Sequence, residues 1–126
     1  VSLRRCGSKM KKKNNMETIT WNDFSKIEMR VGTVLSAEVF KEVRNPAYKI
    51  VVDFGEFGTR KSSAQLTKRY LPEDLIGKQV IAVVNFPPKQ IANFMSECLI
   101  LGLLGEGKDV TLLTPDKKVP NGLIVG

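Results

Sequence analysis

The chain has 126 residues, 42% of them apolar and 26% charged, which suits one soluble domain with a modest core and offers no apolar stretch of membrane-spanning length. Its formal charge of +7 points toward nucleic acid, yet Arg4, Arg5, Lys9, Lys11, Lys12 and Lys13 supply six of those charges, leaving 14 basic against 13 acidic residues from Glu17 onward. Histidine is absent, which excludes Ser-His-Asp and Cys-His relays, helical zinc-protease motifs and histidine metal sites together.

Residues 1–16 are basic and too poor in apolar side chains to fold alone, so they are expected to form a disordered tail; they also lack the apolar core of a secretory signal. An initial Val1 with internal Met10 and Met16 leaves the natural start at Met10, at Met16 or upstream. Cys6 and Cys98 lie 92 positions apart, one in the tail and one in an apolar run, and make neither a disulfide framework nor a zinc site; a reduced, cytoplasmic setting is expected. Residues 17–126 are expected to form a single domain.

Thr20-Trp21-Asn22-Asp23 has capping-box character and predicts a short helix toward Ile27 with Trp21, Phe24 and Ile27 on one face. From Met29 to Phe40 the odd positions Met29, Val31, Leu35, Ala37 and Val39 are apolar, the period-two pattern of a long half-buried strand, with Gly32 marking a bulge or bend. A polar loop, Lys41 to Pro46, precedes a second strand in which Tyr48, Ile50, Val52 and Phe54 face inward; Gly55 to Gly58 form its turn. Thr59 to Gln65 is a polar third strand and Leu66 to Tyr70 one helical turn. Lys78 to Val84 and Cys98 to Leu101 are the fourth and fifth strands.

Between those last two strands, Pro87 and Pro88 stop the fourth, because they lack amide donors, and an outstretched loop from Asn85 to Ser96 carries Phe86, Lys89, Asn93 and Phe94. Aromatic faces beside a cation suit exposed bases or a peptide; Phe86 and Phe94 read equally as plugs of a barrel end. Arg60, Lys61, Lys68 and Arg69, with no acid among them, read as a solvated face or as a local RNA footprint; Ser62, Ser63 and Gln65 either satisfy an exposed strand or contact bases. Five strands with a helical segment between the third and fourth give the order of an all-β OB-fold barrel, whose ligand face takes in the second and third strands and the loops 41–46 and 85–96. Val110 to Leu113 and Leu123 to Val125 are additional C-terminal strands that need another surface.

Two features that resemble catalytic signals read as structural. Gly102 to Asp109 falls short of a phosphate-binding loop, with Asp109 where a magnesium-ligating Ser or Thr should stand and a strand following. Glu73 and Asp74 sit at a helix start, where its positive end favours them. The chain is therefore read as non-catalytic, with no cofactor.

Asn85, Pro88, Lys89 and Ser96 resemble the pattern of the tRNA-binding domain family, as do Met29-Arg30-Val31-Gly32, Ser62-Ser63-Ala64-Gln65, Tyr70, Pro72-Glu73-Asp74-Leu75 and Gly77. The likeness spans residues 23–126 and is greatest to small stand-alone bacterial members, through Arg44-Asn45-Pro46-Ala47 and Val84-Asn85-Phe86-Pro87-Pro88. It implies tRNA as partner, a symmetric homodimer built from terminal elements, and a chaperone role toward precursor proteins and export machinery, without membrane insertion. A trimmed appendage or partner of an aminoacyl-tRNA synthetase is the other reading. Two positions depart from the pattern: Ile91 stands where relatives often carry Met, and Asn93 where they usually have Gly, so Asn93 is expected at positive φ. The expected binding residues are Arg44, Arg60, Lys61, Ser63, Gln65, Lys68 and Arg69, with Asn85, Phe86, Lys89, Asn93, Phe94 and Ser96 from the fourth-to-fifth loop.

Overall fold

Thr20 Oγ1 accepts from Asp23 N at 3.0 Å, and the Asp23 carboxylate accepts from Thr20 N at 3.2 Å. This reciprocal cap starts α1 (Trp21–Ser25) where the Thr-x-x-Asp spacing places it. The structure, a computed structural model, describes residues 16–126; the expected tail lies, apart from Met16, outside the described residues.

β1 (Met29–Val39) has 11 residues, a span of roughly 36 Å, and serves two neighbours. Its first half pairs antiparallel with β4 (Gln79–Val83), from Met29↔Val83 to Thr33↔Gln79, and its second with β2 (Tyr48–Asp53), from Thr33↔Asp53 to Val39↔Tyr48. The register break falls at Leu35, between Val34 and Ser36, and not at Gly32. The extra residue there puts Val34 and Ala37 on the core side together, opposite Val52 and Ile50, and leaves Leu35, expected to face inward, exposed. Val39 is exposed as well, and Val31 is buried where the C-terminal segment bonds to it. Gly32 serves close approach instead: a Cβ would stand 2.5 Å from Val52 Cγ1 and 2.9 Å from Asp53 O.

With β3 (Thr59–Ala64) and β7 (Leu99–Ile100), the main sheet runs β3-β2-β1-β4-β7. Its two edges meet: Ser62 Oγ donates to Cys98 O at 2.9 Å, and Glu97 N donates to Lys61 O at 2.7 Å. The result is a nearly closed, five-stranded antiparallel barrel of OB type. Tyr48, Ile50, Val52 and Phe54, the inward positions read from the sequence, fill it together with Leu66, Leu75, Val80 and Ile100. Tyr70 N donates to Leu66 O at 3.2 Å, closing the expected helical turn before α2 (Pro72–Leu75). Asp74 Oδ2 accepts from Leu71 N at 3.0 Å at that helix start, the structural role expected of it.

The segment after Pro88 is folded, not outstretched. β5 (Lys89–Ile91) and β6 (Phe94–Ser96) pair as a hairpin in the register Lys89↔Ser96 and Ile91↔Phe94. Ala92, and not Asn93, carries the positive φ, at 53°. Positive φ at the first turn position alone is the type II′ pattern, which matches the strand twist of a two-residue hairpin.

β8 (Gly102–Leu104) and β9 (Val110–Leu112) form a second hairpin, so the glycine-rich turn leads into a strand and not a helix. Val110 and Leu112 join the barrel's own core, which corrects the expectation that this first added segment needs an outside surface, whereas Leu123, Ile124 and Val125 are exposed. Residues 122–125 run along the start of β1, with Val31 N donating to Leu123 O at 3.0 Å and Val125 N to Met29 O at 2.8 Å. Among the described residues, no helix is long and apolar enough to cross a membrane.

Candidate nucleic-acid interface

The root of the fourth-to-fifth connection is fixed by Asn85. Its Oδ1 accepts from Glu28 N at 3.0 Å and its Nδ2 donates to Lys26 O at 2.7 Å, so an amide expected to meet ligand instead ties the loop to the link between α1 and β1. Phe86 follows directly and stands 54% exposed. Across from it on β3, Arg60 donates from Nη1 to Val84 O at 2.8 Å. Thr59, Arg60, Phe86, Pro88 and Glu97 line a shallow depression of about 170 Å³. Arg60 and Glu97 share this wall without forming an ion pair.

Beside the depression runs a ladder of rings and cations. Lys61 Nζ lies 5.3 Å from the Phe94 ring centre, Phe94 meets Phe40 edge to face at 5.3 Å, and Lys49 Nζ lies 5.4 Å from the Phe40 ring centre. Phe40 is buried and Phe94 half-buried against it, while Phe86 is exposed. Lys89 is exposed at the start of β5. Its register partner Ser96 accepts from Ser63 N at 3.4 Å, which places both serines at the barrel seam. Ser62 is fully buried there. Asn93 is exposed at the hairpin tip, and the Gln65 amide oxygen is buried with no hydrogen-bond partner among the described residues.

Three expected residues lie elsewhere, about the β8–β9 turn. Arg69 grips Asp109 with two bonds, Nε to Oδ1 and Nη2 to Oδ2, the latter at 3.1 Å. This hydrogen bonding holds the Asp109 carboxyl below its ordinary range and pushes the Arg69 guanidinium up. Lys68 adds a weaker pull on the same carboxylate. Arg44 sits in the loop where Asn45 Oδ1 accepts from Lys108 Nζ at 2.9 Å. Apart from Asn85, tied to the α1–β1 link, and Gln65, whose amide oxygen is buried, the binding residues named from the sequence separate into two groups: Arg60, Lys61, Ser63, Phe86, Lys89, Asn93, Phe94 and Ser96 around the β3 and β5–β6 face, and Arg44, Lys68 and Arg69 around the second hairpin.

Sequence reading missed Glu97, Lys49, Phe40 and Thr59. Glu97 carried one usable signal, an acid between Ser96 and an apolar strand. Cys98 contributes no nucleophile, since burial pushes its thiol up to about 11.

A barrel of this topology, with cations on β3 and an exposed ring on the connection between its last two barrel strands, defines an OB-type binding protein. Residues 29–123 match the family described as "Putative tRNA binding domain", and the chain belongs to that family. Among solved structures it is similar to the chaperone CsaA of Bacillus anthracis, at 53% identity over 87% of this chain and 100% of that one, with a TM-score of 0.85. It is likewise similar to the CsaA chaperone protein of Picrophilus torridus, at 52% identity over 86% and 100% of the two chains, with a TM-score of 0.80. The methionine–tRNA ligase of Methanococcoides burtonii is 36% identical over 109 residues, which are 86% of this chain and 16% of the ligase. The chain thus spans about a sixth of the length of that curated relative.

Proposed function

We propose that this chain is a non-catalytic tRNA-binding protein that works as a homodimer in the cytoplasm. The observation that carries the reading is the exposed Phe86 ring beside Arg60, on the same face as Lys61 and Lys89: stacking and phosphate contacts are what a folded RNA offers such a surface. The near balance of charge from Glu17 onward supports a local footprint over indiscriminate binding. Dimerisation is supported by the exposed apolar residues Trp21, Ile27, Leu123 and Ile124, which lie on α1, on its link to β1 and on the segment bonded to β1. Dimers of this kind commonly bury more than about 1,000 Å².

A second activity, holding precursor proteins destined for export, is supported by the likeness to proteins described as CsaA chaperones. The alternative, a module that delivers tRNA to a synthetase, is supported by the match to one sixth of a methionine–tRNA ligase. Sedimentation of the full chain, alone, with total tRNA and with a signal-peptide-bearing precursor at one salt concentration, tests these together. A dimer that binds tRNA is expected; a monomer without RNA affinity would overturn the proposal. Binding of precursor supports the chaperone activity, whereas tRNA binding that needs an added ligase supports the delivery module.

A further inference from the structure

We infer that the depression between Phe86 and Glu97 receives a single unpaired guanine base. The inference rests on the tRNA reading above and assigns a ligand to one subsite of that face. The depression is shallow and open, with a volume of about 170 Å³ bounded by five residues, a footprint that suits one planar ring system. Phe86 offers an exposed ring for stacking, and Pro87 and Pro88 stiffen the backbone that carries it.

The polar groups on the wall are of opposite kinds and both remain open. Arg60 is anchored through Nη1 to Val84 O, which steadies the guanidinium and leaves its other N–H groups to donate. Glu97 accepts Lys61 N on Oε1 and keeps further acceptor capacity on both oxygens. A carboxylate on a phosphate-binding face repels the RNA backbone, so its presence selects a ligand edge rich in donors. Guanine sets O6 beside N1–H and the N2 amino group along one edge: an acceptor for Arg60 followed by two donors for Glu97. Adenine, cytosine and uracil each show a carboxylate a single donor group. An arginine from a basic peptide could also stack on Phe86 and donate twice to Glu97, but it brings no acceptor for Arg60 and meets a like charge there.

Glu97 also has a purely structural role, since its bond to Lys61 N helps close the barrel, and Glu97→Gln separates the two. The amide oxygen preserves the seam, while the amide nitrogen turns a donor toward the donors of guanine. The experiment measures fluorescence anisotropy of short uridine oligoribonucleotides with G, A, C or U at the centre, at fixed salt, for wild type, Glu97→Gln and Phe86→Ala. The guanosine oligomer is expected to bind about tenfold more tightly than the others. Glu97→Gln should erase that preference with an unchanged thermal midpoint, and Phe86→Ala should weaken all four oligomers. Equal affinity for the four, or an undiminished preference in Glu97→Gln, would overturn the inference. So would an arginine-rich peptide that displaces the oligomers and whose binding, unlike theirs, is lost in Glu97→Gln. Total tRNA is titrated in parallel: wild type that binds tRNA without base preference loses only the guanine subsite, whereas wild type that binds no RNA loses the tRNA reading and the subsite together.

Discussion

Lys61 and Glu97, 36 positions apart in sequence, are joined twice: Glu97 N donates to Lys61 O at 2.7 Å, and Lys61 N donates to Glu97 Oε1 at 3.0 Å. The side chains of both residues also lie on the proposed ligand face, Lys61 over the Phe94 ring and Glu97 on the wall of the depression. Barrel closure and the proposed binding surface thus share one contact. Glu97→Ala should therefore lower stability by about 1 kcal/mol in urea denaturation, through loss of an acceptor for Lys61 N, whereas Glu97→Gln should stay near wild type.

Gly32→Ala tests the crossing of β1 over β2. A methyl group would stand 2.5 Å from Val52 Cγ1 and 2.8 Å from Phe54 Cδ1, both in the core, and 2.9 Å from a backbone oxygen that cannot rotate away. Overpacking of this kind costs about 1–3 kcal/mol and should lower the thermal midpoint by several degrees, read by circular dichroism.

Ala92→Gly should have the opposite sign. Ala92 holds φ at 53°, where a Cβ is strained and glycine is not. A gain of up to about 1 kcal/mol is expected, offset in part by the greater freedom of glycine in the unfolded chain. Asn93→Gly should bring no such gain, and comparing the two variants by denaturant unfolding shows which turn position carries the strain.

These positions mark where the sequence was legible. The α1 cap, the inward run from Tyr48 to Phe54 and the barrel order follow from local chemistry: a side-chain oxygen three residues from an amide, and alternation along one strand. The Leu35 bulge and the Ala92 turn do not, because each is set by long-range pairing, β1 changing partner between β4 and β2 in one case and Lys89 meeting Ser96 in the other. At the site, the exposed cations were readable as residue types, yet Asn85 and Arg69 turned out to be engaged by Glu28 and Lys26 and by Asp109, partners that folding alone brings near. Glu97 was overlooked because its significance lies in facing Arg60 across the barrel seam.

The Arg69–Asp109 pair carries a pH dependence of known sign. Arg69 holds the Asp109 carboxyl below its ordinary range, so the contribution to stability is present above about pH 4 and is lost as pH falls through the lowered folded value. Arg69→Gln should be less stable than wild type at neutral pH, and the gap should narrow toward zero under acid. Denaturant melts across that range check it; a gap that widens in acid would contradict the pairing.

The most direct measurement is the affinity for total tRNA across a series of salt concentrations, for wild type and for the Lys61→Ala, Lys89→Ala double variant. If the β3 and β5–β6 face holds tRNA, the variant should bind more weakly and its logarithmic salt slope should fall by about two, one for each lost phosphate contact, with thermal stability changed by less than about 1 kcal/mol. Identical affinity and identical slope in the two proteins would contradict tRNA binding at this face.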